Sequence, residues 1–374
     1  MVGTDLKIEE IKLILIEKEL KETFTTSFGP TKKRKIVLVR VKTEDEVVGW
    51  GESVAGNGPW FSYETYETVW ITLRDFLSKL ILKKDILEPL TTFELLNPVR
   101  GHNMAKYALE GAILDAYGKT IGKSLKELIG GVKKEVEVGV SVGIKKNIDT
   151  LIKTIEEYLN EGYKRIKIKI KPGWDIEPLK AIRETFGNIK LQVDANAAYT
   201  MGDLETLKKL DEFNLLMIEQ PFHYEDLVDH AHLQKILETP ICLDESITGI
   251  HSAKAAVELK SGKIINIKPG RVGGVYVAKL IHDLGVKNNM GLWIGGMLET
   301  GIGRSFLVAL ASLPGINYPS DVSASSRYWD KDIVEPEFKL SGDGKIRVPE
   351  KPGIGVEILE DEIDKIKIRE LVLR

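Results

Sequence analysis

Five ionisable residues, Lys169, Asp194, Glu219, Asp244 and Lys268, recur at steps of 25, 25, 25 and 24 residues. Each sits at the end of a short apolar run: 166–170, 191–194, 215–219, 241–244 and 264–268. Three carboxylates gathered together suit a hard divalent ion such as Mg²⁺ or Mn²⁺, with positions left open for water or a substrate oxygen. Without a cation they would repel one another and their pKa values would rise. A lysine on either side adds two candidate bases. Such a set can remove the proton α to a carboxylate, with the enediolate held by the cation and by the opposite lysine. Return of a proton to the other face is racemisation; departure of a β-leaving group is elimination.

The spacing says what must position these residues. About 25 residues is one strand, one helix and two short loops, so the ladder visits the same strand end five times. In a β/α barrel those ends meet at one mouth. From Val136 onward the chain alternates in this way: strands at 136–142, 165–170, 190–194, 215–219, 241–244, 264–268 and 291–294, each followed by a helical pattern, with an eighth strand expected near 316–319. Seven or eight such units favour a closed barrel over an open sheet. No GxGxxG follows the first strand, which argues against a dinucleotide fold. Lys167 and Lys169 alternate with isoleucines and so share one face. Two inward lysines are costly unless used; Lys167 is expected to depress the pKa of Lys169 from ~10.4 toward the ~7–8 that a base requires.

Residues 1–125 read as an α+β domain. Strands over 6–23 and 34–48 flank a polar loop at 25–31, a second loop spans 53–62, and helices cover 64–80 and 105–121. Residues 126–322 hold the barrel pattern. Residues 323–374 break the rhythm and are expected to return to the first domain and add strands there.

The chain has 374 residues, 43% hydrophobic and 29% charged, with a net charge of −3. That balance gives no support to a nucleic-acid binder. No apolar run approaches the ~18 residues needed to cross a membrane, and the early charges of MVGTDLKIEE do not suit a signal peptide; a cytoplasmic location is expected. The single cysteine, Cys242, rules out an internal disulfide and reads as a small buried residue.

The KxK of Lys167–Lys169, the three acids and Lys268 resemble the enolase superfamily in its muconate-lactonising subgroup. The segments RIKIKIKPGWD (165–175), NIKPGRVGG (266–274), GGMLETGIGR (295–304), PWFSYET (59–65) and SRYWD (326–330) are similar to those of the o-succinylbenzoate synthase / N-succinylamino acid racemase family. The resemblance implies an α+β capping domain over a (β/α)₇β TIM-like barrel, and Mg²⁺, Mn²⁺ or another divalent ion at Asp194, Glu219 and Asp244. It implies Lys169 and Lys268 as the catalytic pair, with Lys167 beside them. Ser141, Asn196 and the Gly296-Met297-Leu298 turn would line the pocket, with the two N-terminal loops as a lid. Arg271, three residues after the second lysine, resembles an arginine of the racemising members that could tune proton transfer by Lys268. The implied substrate is a small-molecule carboxylate: an N-succinylamino acid to be racemised, or the cyclohexadiene carboxylate dehydrated in menaquinone biosynthesis. A homo-oligomer is expected.

Dipeptide epimerases and muconate cycloisomerases would share every rung, although PWFSYET and SRYWD point away from them. A Schiff-base aldolase using Lys268 would need no acid cluster, and a non-catalytic barrel would predict a missing rung.

Overall fold

The computed structural model describes residues 6–27 and 29–374; residues 1–5 and Phe28, part of the charged N-terminus and of the 25–31 loop read above, lie outside the described residues. Three β-rich runs, Leu6–Thr26, Gly29–Thr43 and Val48–Glu52, form an antiparallel meander. Their buried face is almost continuous Ile, Val and Leu. It lies against helix Asn103–Thr120, which is buried along most of its length. Of the polar stretch 25–31, Thr25–Thr26 and Gly29–Thr31 are paired strand rather than loop: Phe24 pairs with Thr31, Thr25 with Pro30 and Thr26 with Gly29. Backbone pairing continues there through the β-branched Thr25, Thr26 and Thr31, with Gly29 and Pro30 opposite. A helix at Pro89–Leu96, absent from the sequence reading, completes this layer.

The second layer is a seven-stranded parallel sheet in sequence order: Val140–Val142, Arg165–Lys169, Lys190–Asp194, Ile218–Glu219, Ile241–Leu243, Ile264–Ile267 and Gly291–Ile294. Helices alternate with these strands. The first, Ile148–Glu161, shows why: Asn147 caps it by accepting from Thr150 N, and Leu151, Thr154, Ile155 and Tyr158 bury one stripe. Gly162, at φ 108°, ends it.

Two expected strands are corrected. The run 136–142 is broken: Glu135–Glu137 pairs antiparallel with Lys345–Arg347, and only Val140–Val142 enters the sheet. The break falls at Gly139, where a Cβ would lie 2.3 Å from the Arg165 guanidinium. The eighth strand near 316–319 does not form as a strand. Instead the chain bonds irregularly to both sheet edges. Asn317 N and Asp321 N donate to the carbonyls of Leu292 and Ile294 at 3.1 and 2.8 Å, and Gly139 N donates to Ser320 O at 2.8 Å. Pro319 lacks a donor and interrupts the ladder, yet the seam is bridged. Of the C-terminal segment, Lys367–Leu373 adds an antiparallel strand beside Leu6–Thr26, whereas Lys345–Arg347 pairs with Glu135–Glu137 instead.

Candidate active site

Strand register turns the sequence ladder into a row. Lys169 is the register partner of Asp194, and Asp194 of Glu219; Asp244 and Lys268 directly follow the ends of the next two strands. The strand Arg165–Lys169 is buried at all five positions, so Lys167 and Lys169 point into the barrel while Ile166 and Ile168 face the helices.

One carboxylate oxygen each from Asp194, Glu219 and Asp244 lie within 4.8 Å of one another, and all three residues are buried. Basic groups surround them. Lys169 Nζ donates to Asp194 Oδ2 at 2.6 Å and to Asn196 Oδ1 at 2.7 Å. Lys268 Nζ donates to Asp244 Oδ2 at 2.6 Å and lies 4.7 Å from the centroid of the Phe61 ring. Lys167 Nζ sits 3.2, 3.0 and 3.0 Å from Asp194, Glu219 and Asp321. The two strand-end lysines therefore flank the triad from opposite ends, with Lys167 beneath it. At Gly295 a Cβ would lie 2.7 Å from Lys268 Cε, so only glycine leaves that side chain its path.

Arg271 is not a surface arginine. It is buried, pairs with Asp244 Oδ1, and donates to the carbonyls of Ile247 and Asn266 at 2.6 and 2.5 Å. Asp244 is thus shared between Lys268 and Arg271.

The charges shape one another. Burial disfavours the Lys167 ammonium, but Asp321, Glu219 and Asp194 outweigh it and hold its pKa well above the ordinary value. Burial likewise opposes the Lys268 ammonium, and Asp244 and Glu219 raise it. Asp194 is lowered: burial works against its charge, and Lys169 and Lys167 overcome that. Burial, then the neighbouring Asp194 carboxylate, push Glu219 up to about 7. An all-oxygen donor set this close and this buried fits a hard divalent cation.

Above these groups lies a cavity of about 480 Å³. Lys167, Lys169, Lys268, Ser141, Asn196 and the turn Gly296-Met297-Leu298 all line it, so every expected pocket residue reaches it. Phe24 and Thr26 from the hairpin tip and Phe61 from the 53–62 loop face it from the other layer. Ser141 Oγ donates to Asp321 Oδ2 at 2.6 Å.

Sequence reading missed Asp321, Asn266, Gln192 and Glu245. Asp321 pairs with Lys167 and Arg165. Asn266 Nδ2 and Gln192 Nε2 donate to Glu219 at 2.7 and 3.2 Å. Glu245 accepts from Asn196 Nδ2 at 2.9 Å. Asp321 carried a signal: it lies two residues past the eighth expected strand, where a further rung belongs. Cys242 is buried as expected and accepts from the Trp293 indole at 3.2 Å.

Residues 10–130 match the mandelate racemase / muconate lactonizing enzyme N-terminal domain model, and residues 150–362 the enolase C-terminal domain-like model. The o-succinylbenzoate synthase of Geobacillus stearothermophilus is 48% identical over 360 residues, 96% of each chain. The N-succinylamino acid racemase of Thermus thermophilus is 44% identical over 363 residues, 97% of this chain and 98% of that one. The crystal structure of an enolase superfamily member from Listeria innocua superposes with a TM-score of 0.95 at 37% identity, covering 98% of this chain and 99% of the other.

Proposed function

The chain belongs to the enolase superfamily, in its mandelate racemase / muconate lactonizing enzyme branch, and from that premise we propose that Lys169 and Lys268 are the acid–base pair of an N-succinylamino acid racemase that also carries out the o-succinylbenzoate synthase dehydration. The protein is an enzyme of the lyase and racemase chemistry found in its relatives. The observation that carries the proposal is geometric. Each lysine lies 2.6 Å from a different carboxylate of one buried triad, and both line the same cavity.

A divalent cation, Mg²⁺ in this proposal, held by Asp194, Glu219 and Asp244, supplies positive charge that makes the α-proton of a bound carboxylate more acidic. The chain's own residues do the rest. In racemisation, Lys169 Nζ takes the α-proton from one face and Lys268 Nζ delivers one to the other; the reverse reaction exchanges their roles. In the dehydration, Lys169 removes the proton and returns it to the departing hydroxyl, while the Lys268 ammonium steadies the negative charge. Asn196, bonded to Lys169 and Glu245, orients Lys169. Lys167 offsets the negative charge of Asp194, Glu219 and Asp321. Arg271 competes with Lys268 for Asp244 and so weakens the hold of that carboxylate on the Lys268 proton. That competition favours the racemase, in which Lys268 must both release and accept a proton. Ser141 and the Gly296–Leu298 turn bound the substrate, and Phe61 and the hairpin tip exclude water.

The test is α-proton exchange in D₂O on both enantiomers of an N-succinylamino acid, beside the dehydration assay. Exchange that survives in both Lys169→Ala and Lys268→Ala would sink the two-lysine mechanism. Loss of turnover with EDTA and its recovery with Mg²⁺ tests the cation separately.

A further inference from the structure

We propose that a second cleft, between helix Asn103–Thr120 and the start of helix Ile250–Leu259, binds a small organic anion: a carboxylate carried on an apolar body. The cleft has a volume of about 360 Å³ and shares no lining residue with the cavity above the triad. Its walls are largely apolar, from Phe93, Leu96, Val272 and Val277.

Lys106 is the polar group it cannot otherwise explain. The residue is only 8% exposed and lines the cleft. Among the described residues its Nζ has neither a hydrogen bond nor an ion pair; the nearest charge acting on it is Glu64. Glu64 is committed elsewhere, accepting from Met104 N and Ala105 N at the start of its own helix. Burial lowers the Lys106 pKa, and Glu64 opposes this without cancelling it. The Lys106 side chain is largely buried, with its ammonium left reachable by solvent and without a counter-charge, and an anion in the cleft supplies one.

A second, independent feature points the same way. The ten-residue helix Ile250–Leu259 opens onto the cleft with Gly249 at its N-cap, which has no side chain to accept the first N–H groups. Those N–H groups and the positive end of the helix dipole attract a carboxylate. The acid in the wall, Glu110, is satisfied by the N–H groups of Val275 and Tyr276 at 2.5 and 3.1 Å. Arg100 and His251 add basic groups to the lining. The apolar walls select an anion with a hydrocarbon body over inorganic phosphate.

The probe is radiolabelled benzoate in equilibrium dialysis against the Mg²⁺-loaded enzyme. Benzoate can also enter the main cavity, so the comparison is between variants. Wild type is expected to show one class of sites more than Lys106→Met. Lys106→Arg should keep that class, and benzamide should not compete for it. Turnover of Lys106→Met without benzoate should match wild type, because Lys106 lies outside the catalytic cavity. If Lys106→Met fails to fold, Val277→Phe, which fills the cleft from the opposite wall, should remove the same class. Equal benzoate binding in wild type and variant, or equal competition by benzamide and inorganic phosphate, overturns the proposal.

Discussion

Lys268→Met separates the two lysines. The structure indicates that the variant should fold. Asp244 loses one partner but keeps Arg271, so no buried carboxylate is stranded, and a thioether replaces the ammonium beside Phe61. The expected stability cost is about 2 kcal/mol, the value of one charge-assisted hydrogen bond. The chemical cost is larger and one-sided. A base removes only the proton that faces it, so deleting Lys268 should slow α-exchange of one enantiomer by roughly 10²–10⁴-fold, or about 3–5 kcal/mol of transition-state stabilisation. Exchange of the other enantiomer, served by Lys169, should continue, with racemisation lost because the opposite face has no proton donor. Lys169→Met should show the mirror pattern. Proton NMR in D₂O, with N-succinyl-L- and D-phenylalanine and saturating Mg²⁺, reads both directions. If Lys268→Met loses exchange of both enantiomers equally while its Mg²⁺ affinity stays normal, a single base serves both faces and the reasoning fails.

Lys167→Met should be the most destabilising of the lysine variants in EDTA, by about 3–5 kcal/mol in urea unfolding. It leaves the buried Glu219 with only the neutral donors Asn266 and Gln192; a loss below ~1 kcal/mol would count against its charge-balancing role. Mg²⁺ binding should release protons at pH 6 and few at pH 8, because Glu219, held near a pKa of about 7, must ionise to coordinate. Calorimetry in buffers of different ionisation enthalpy measures this, and equal release at both pH values would contradict it. Burial pushes Glu110 up to about 7, against the bonds from Tyr276 and Val275. Its folded pKa lies above the unfolded value, so the native state binds the extra proton and stability falls as pH rises from ~4.5 to 7. Glu110→Gln should therefore gain stability relative to wild type across that window, by up to ~3 kcal/mol, and parallel melting curves from pH 5 to 8 would refute it.

Much of the site was legible because one strand–helix repeat has nearly constant length. A spacing of 25 residues in the sequence becomes adjacency in space once parallel strands align, as the Lys169–Asp194 and Asp194–Glu219 register pairs show. Alternation alone places Lys167 and Lys169 on one face. The hairpin end within 25–31 reads as a loop because Gly29-Pro30 is a turn signal, whereas the threonines around it suit the pairing that forms. The eighth strand was overestimated because an apolar run signals burial, and burial at the seam is achieved here by irregular chain around Pro319.

The sequence by itself determined the repeat, the identity of the five rungs and the chemistry such groups share. Only the tertiary structure decided how they are coupled. Asp321 reaches Lys167 from 154 residues away in sequence, Arg271 folds back onto Asp244, and Asn196 joins Lys169 to Glu245. These are distance-dependent interactions among buried charges, whose strength depends on where water has been excluded. Periodicity fixes which residues arrive at the barrel mouth. Which carboxylate each base holds, and which acid resists ionising, follows only once the chain has closed around them.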